Sequence, residues 1–252
     1  MMKKRFNASS RLTAIKHPWA AFQFIRGQKS KLHRALISEA ASHLWKDKGI
    51  RAGFAAALDE LDQQPNIPAN TRTQKRNAGN NLNTTFGKWL WCCVRVFKPI
   101  HMVETGVAHG ASSWIILNAM RLNGRGTLHS IDLPNLDTNH DYNFGSKPTE
   151  TGWMVPDVLK SCWDLRLGDA KTLLPELLKE VGQIDIFFHD SDHSAEHMQF
   201  EFELAEKHLR LGGLLLSDDI DKNSAFDEFS NRTAWPHVVF GKGGCAISIS
   251  KS

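Results

Sequence analysis

Five times along this chain an apolar, β-prone run breaks off on a carboxylate, and each time a new segment follows before the next run begins. The runs are "IHMVE", "GTLHSID", "WDLRLGD", "IDIFFHD" and "GLLLSDD", and they end on Glu104, Asp132, Asp169, Asp190 and Asp218. Strands separated by helical segments cannot close as tight hairpins; the crossovers make them run parallel, with helices over the sheet. All the carboxyl ends then lie on one edge, which is where open α/β sheets bind ligands. One acid after a strand reads as a helix cap. Five read as the rim of a site.

The intervening segments agree. "TGVAHGASSWIILNAM" is a glycine turn opening a helix, "AKTLLPELLKEV" is amphipathic, and the helix from Ser194 carries Met198, Phe202, Ala205 and Leu209 on one stripe, with a stop expected at Gly212 and Gly213. After a short helix near "SAFDEFSNRTAW", the runs "HVVFG" and "CAISIS", separated by "KGG", read as a terminal antiparallel hairpin. The expected fold is α/β: a doubly wound, mostly parallel seven-stranded sheet.

Upstream, "KLHRALISEAASHLW" places Leu32, Leu36, Ile37, Ala40 and Leu44 at helical spacing, and "FAAALDEL" adds Phe54, Leu58 and Leu61. The polar stretch "DQQPNIPANTRTQKRNAGNN" that follows reads as a linker. The chain thus divides into an N-terminal helical extension, 1–66, and a main domain, 67–252. "TTFGKWLWCCVRVFKP" is a helix stopped by Pro99, and its Trp89 and Trp91, like Trp114 further on, read as core.

The net charge of +4 is unevenly placed: residues 1–51 hold twelve Lys or Arg against Glu39 and Asp47, so the remainder is net acidic. Such an arm suits an anionic surface, and it is a candidate for peripheral membrane contact; a solvated extension packed on the main domain is the plainer reading. No RNA-binding motif accompanies the charge, and nucleic acid is not expected. The N-terminal helices are the candidate surface for a homo-oligomer. No apolar run approaches the roughly 18 residues of a membrane span and no signal-peptide pattern is present, so a cytoplasmic location is expected. Cys92, Cys93, Cys162 and Cys245 have neither disulfide-framework nor metal spacing and read as buried thiols.

The glycine turn "ETGVAHG" lacks the G-x-G-x-x-G spacing that sets a helix against a pyrophosphate, and no P-loop occurs. A cofactor without phosphate, bearing a ribose and an amino-acid moiety, fits better. An acid ending the second strand can accept ribose hydroxyls, as in dinucleotide sites.

The series "VETGVAHGASSW", "LHSIDLP", "GWMVPDVLKSCWDLRLGDAKTLLPEL", "FFHDSDHSAE" and "LRLGGLLLSDDI", spanning Asn83 to Ser252, resembles the Rossmann-like class I S-adenosylmethionine-dependent methyltransferases. Within them it is most similar to the group of macrolide-sugar O-methyltransferases and cephalosporin-hydroxylase-like proteins. The resemblance implies that Glu104, Gly106 and Gly110 contact the methionine part of the cofactor, Asp132 its ribose and Asp169 the adenine side. It also implies Mg²⁺ between Asp190, Asp218 and Asp219, where a hard cation would stabilise the attacking alkoxide. Asp190 and His193 are the implied catalytic residues, with His193 as general base and Asp192 as its orienter or an extra ligand. Ser191 stands where relatives usually carry glycine.

Among the other histidines, His189 reads as a hydrogen-bonded loop residue, His109 as a wall of the cofactor site and His197 as a helix-surface residue. The long segment "PNLDTNHDYNFGSKPTETGWMVP", with Tyr142, Phe144 and Trp153, reads as a lid over cofactor or substrate. The expected activity is Mg²⁺-assisted methyl transfer from S-adenosylmethionine to a hydroxyl of a sugar or glycosylated small molecule. A phenolic, catechol-like acceptor is one alternative. Another is a cofactor-binding scaffold without turnover, docking through its basic arm.

Overall fold

The computed structural model describes residues 18–63, 82, 84–133 and 151–250, with the side chains of its first helix described from residue 30 onward. Three helices come first: α1 (Pro18–Leu44), α2 (Lys48–Leu61) and α3 (Thr85–Phe97). The alternating part then runs β1 (His101–Thr105), α4 (Ala111–Asn123), β2 (Thr127–Asp132), β3 (Trp163–Leu167), α5 (Ala170–Val181), β4 (Ile184–His189), α6 (Ala195–His208) and β5 (Leu209–Ser217). A short helix α7 (Ala225–Thr233) leads to β6 (His237–Phe240) and β7 (Gly243–Ile247). The seven strands form one sheet in the order β3-β2-β1-β4-β5-β7-β6. β1 to β5 pair in parallel, and β7 is antiparallel to both β5 and β6. The expected doubly wound sheet with a terminal hairpin is therefore present.

Alternation along the strands sorts side chains between two apolar layers. Met102, Leu128, Phe188, Leu216 and Cys245 face a layer built with α1 to α4, whereas Val103, Ile131, Phe187, Leu215 and Ala246 face one built with α5, α6 and α7. Both faces are buried, which is why these strands read as continuous apolar runs. Trp89 and Trp91 are wholly buried and Trp114 nearly so. Cys92, Cys93 and Cys245 are buried and Cys162 half-buried, all four as free thiols.

The helices of the extension belong to the first layer. Trp45 of the α1–α2 turn packs on Phe54 of α2 (ring centroids 5.3 Å apart) and on Phe97 of α3 (5.2 Å). Arg95 of α3 forks onto Glu60 of α2 at 2.6 and 3.0 Å, a bidentate geometry that fixes the pairing of the two helices. Most of the polar stretch 64–83, including the 66/67 division, lies outside the described residues. No helix among the described residues is long and apolar enough to cross a membrane.

One boundary differs from expectation. The helix after β4 ends at His208, and Gly212 and Gly213 lie inside β5 instead of stopping the helix. The cause is pairing: Gly212 N–H donates to the Ser248 carbonyl at 2.8 Å and Ser248 N–H to the Gly213 carbonyl at 2.9 Å, so the residue just past β7 holds both glycines to the sheet.

Candidate active site

The strand order reverses between β1 and β4, since β2 and β3 lie to one side and β5, β7 and β6 to the other. Open α/β sheets bind ligands beyond the carboxyl ends of the strands at such a reversal. Asp132 ends β2, Asp190 directly follows β4, Asp218 directly follows β5, and Asp169 comes two residues after β3. Four of the five acids thus stand along one edge.

Glu104 does not. It is the penultimate residue of β1 and shares the parity of Met102, so its side chain turns under α4 and is wholly buried. Its oxygens accept hydroxyls from Ser112 (2.6 Å), Ser113 (2.6 Å) and Ser130 (2.7 Å). Burial pushes its pKa up to about 7 against the pull of those three donors. Its carboxylate thus braces α4 and β2 through these three serines.

The glycine turn is shaped by what packs on it. Gly106 has φ +83°, and a Cβ there would stand 2.0 Å from the Asp190 carbonyl oxygen. Gly110, at φ +87°, opens α4 with its own added Cβ 2.9 Å from the Cα of Gly152. Both positions require glycine because backbone lies where a side chain would go. Asp132 holds the turn from the other side: Oδ1 accepts the N–H groups of Val107 (2.9 Å) and Ala108 (3.4 Å), and Oδ2 accepts the Thr151 hydroxyl (2.9 Å). Asp169 caps α5 through the Lys171 N–H at 2.9 Å. Of the expected lid, Tyr142 and Phe144 lie outside the described residues, while Trp153 stands edge-on to His109 at 5.9 Å. That contact makes His109 part of the wall next to the glycine turn, and burial lowers its pKa.

Loop 190–194 carries the proposed base. Asp190 N–H donates to the Thr105 carbonyl at 2.8 Å, so the loop leaves β4 tied to β1. His193 is mostly buried, with Nε2 3.8 Å from Asp190 Oδ1 and without a hydrogen-bond partner. Burial, and then the neighbouring His189, lower its pKa, so the imidazole is neutral near pH 7. Asp192 does not orient it; that carboxylate turns to the start of α6 and accepts the Ser194 N–H at 2.9 Å. Asn223, whose amide donates to the His193 backbone carbonyl at 2.9 Å, holds the loop at that residue.

Beneath this loop lies a group the sequence reading passed over. Glu201 of α6 is wholly buried and accepts from His189 Nδ1 (2.6 Å), Thr105 Oγ1 (2.6 Å), His197 Nε2 (2.8 Å) and Ser191 Oγ (3.0 Å). Burial alone would raise its pKa, but hydrogen bonds from His189 and His197 outweigh that and hold it at about 2. His197 is therefore a buried partner of Glu201 and not a surface residue, and its pKa is raised by that hydrogen bond. His189 is the wholly buried last residue of β4, with no loop character. The signal was in the sequence: His197 and Glu201 stand one helical turn apart.

On the β5 side, Asp219 has φ +46° and pairs with Lys242 of the β6–β7 turn at 3.0 Å, while Ile220 N–H donates to the Lys242 carbonyl at 2.8 Å. A magnesium ion on Asp190, Asp218 and Asp219 does not fit these side chains as they stand. Among the described residues no three His, Cys, Asp or Glu groups gather as a metal site, and one intended ligand already has an ammonium partner.

Residues 103–220 match the family model described as a methyltransferase domain. No curated protein matches the chain. Among solved structures, the O-methyltransferase from Bacillus cereus in complex with SAH is 15% identical over 81% of this chain and 93% of its own, with a TM-score of 0.50. A methyltransferase from Geobacter sulfurreducens is 21% identical over 79% of this chain and 96% of its own, with a TM-score of 0.52. The O-methyltransferase TomG from Streptomyces achromogenes, in complex with SAM, is 16% identical over 82% and 92%, with a TM-score of 0.50. At such identities the likeness is one of fold. The stretch from β1 to just beyond β5, residues 103–220, thus matches a methyltransferase-domain model, and the sheet has the fold of these solved methyltransferases.

Proposed function

We propose that the protein is an O-methyltransferase that moves the methyl group of S-adenosylmethionine onto a hydroxyl of a sugar or glycosylated small molecule. The observation that carries this reading is His193: a mostly buried, neutral imidazole with an unpartnered Nε2, beside Asp190 at the point where the strand order reverses. The preference for a sugar rests on the motif resemblance alone.

S-adenosylmethionine, when bound, supplies an electrophilic methyl on a sulfonium. In the reading proposed, Asp132 takes the ribose, Asp169 the adenine edge, and the turn from Gly106 to Gly110 the methionine part. Nε2 of His193 takes the acceptor's hydroxyl proton as the oxygen forms its bond to the methyl carbon. The sulfur–carbon bond breaks in the same step, leaving S-adenosylhomocysteine, a methyl ether and an imidazolium. In this reading Asp190, whose Oδ1 is 3.8 Å from Nε2, stabilises that cation. No step is assigned to magnesium.

Calorimetric titration of the protein with S-adenosylhomocysteine, with magnesium and again with EDTA, tests the cofactor. Methyl transfer to a panel of sugars and catechols then tests the acceptor. Micromolar binding with turnover on a sugar supports the reading; turnover on catechols alone replaces the acceptor, and no binding in either buffer removes the cofactor.

A further inference from the structure

Asp132, the acid proposed to hold the cofactor's ribose, has three partners among the described residues, and they are of two kinds. The N–H groups of Val107 and Ala108 reach Oδ1 from within the glycine turn and keep that turn in shape. The Thr151 hydroxyl reaches Oδ2 at 2.9 Å from the far end of the β2–β3 connection. Thr151 begins a strap that lies along the turn without needing Asp132: Gly152 N–H donates to the Ala108 carbonyl at 2.8 Å and Met154 N–H to the His109 carbonyl at 2.9 Å. Gly152 fits against the ring of Trp163, where a Cβ would stand 2.2 Å from a ring carbon, and Val155 is buried. The strap is thus anchored by its backbone and by Val155, and only the Thr151 hydroxyl bears on the carboxylate.

We propose that Thr151 is an internal competitor for the ribose: its hydroxyl holds the Asp132 oxygen that a vicinal diol needs, and the cofactor binds fully only after that hydroxyl lets go. The inference rests on the reading of Asp132 as the ribose acid. A carboxylate offers about four acceptor sites and these donors fill three, so a diol that donates twice must displace one, and among the described donors Thr151 alone lies outside the glycine turn. The apparent affinity is then reduced by the fraction of molecules in which the hydroxyl has released. Thr151 is a side chain that sets cofactor affinity without belonging to the methyl-transfer machinery. A rotation about its χ1 frees Oδ2 while the backbone bonds of the strap stay in place.

The test is calorimetric titration of the full chain with S-adenosylhomocysteine, comparing wild type, Thr151→Val and Thr151→Ser. Valine keeps the shape and removes the donor; serine keeps the donor. The valine variant is expected to bind roughly tenfold tighter, the scale of one hydrogen bond to a charged acceptor, and the serine variant close to wild type. The gain should shrink for the 2′-deoxy analogue of S-adenosylhomocysteine, which lacks one hydroxyl of the diol. Equal or weaker binding by Thr151→Val, with wild type binding normally, overturns the competitor and leaves the cofactor reading standing. Absence of binding by wild type and by a folded Thr151→Val protein overturns the cofactor reading and the competitor with it.

Discussion

Nδ1 of His189 lies 2.6 Å from Oε2 of Glu201, and both side chains are wholly buried. Thr105, Ser191 and His197 converge on the same carboxylate, so Glu201 joins the ends of β1 and β4 to α6 and to the loop carrying His193. Glu201→Gln removes the charge that these donors share. It should lower the unfolding free energy at pH 7 by about 3 kcal/mol, the upper scale for hydrogen bonds to a buried charged acceptor. The folded pKa of about 2 lies below the ordinary 4.5, so the stabilisation is present above pH 4.5 and fades as the pH falls toward 2. Denaturant titrations of wild type and variant should therefore differ at pH 7 and draw together at low pH.

Glu104 has the opposite sign. Its folded pKa of about 7 stands above 4.5, so its contribution is complete below pH 4.5 and is lost as the pH rises through 7. The loss is on the order of 3 kcal/mol. Thermal unfolding between pH 5 and pH 8 should show a fall in wild type that is flattened in Glu104→Gln. An equal fall in both proteins would assign it to another group.

His193→Gln should reduce methyl transfer by roughly 10² to 10⁴-fold, the range for removing a general base. S-adenosylhomocysteine affinity should stay within about twofold. Because burial lowers the His193 pKa, the acid limb of kcat/KM should fall below the ordinary histidine value of 6.5. A limb centred above 6.5 would point to a different base.

Gly106→Ala sets a methyl group against the Asp190 carbonyl at 2.0 Å in a backbone with φ +83°. Neither backbone can yield cheaply, and a cost of roughly 3 kcal/mol or more is expected. The comparison is with Gly182→Ala, which also has positive φ but no atom within 4 Å of the added Cβ. Urea midpoints should separate the two variants clearly.

The parallel sheet, the terminal hairpin and the carboxylate edge were legible because each depends on period and punctuation, which a linear chain displays. The site's interior was less so. Glu104 looks like one more rim acid until its parity with Met102 is seen to turn it beneath α4. Glu201 sits in a charged stretch of α6, "AEHMQFEFELAEKH", where an acid reads as surface; only the packing of α6 on β1 and β4 buries it. The stop expected at Gly212 failed for a similar reason, since Ser248 pairs with that glycine across a separation no local pattern reveals. Lys242 reaches Asp219 only through the hairpin, so the spacing of the acids could not disclose their partner.

The aromatic joint of Trp45 and Phe54 with Trp89, Phe97 and Phe240 bears on what a shortened version of this protein would be. Trp45 stacks on Trp89 at 5.9 Å, and Trp89 meets Phe240 of β6 at 4.6 Å, so the early helices reach the sheet's far strand through three rings. A truncated chain beginning at α3 would keep every residue proposed for chemistry, yet leave one flank of the sheet greasy and bare. Such a fragment should clump, and a loss of activity in it would say nothing about what the basic arm touches.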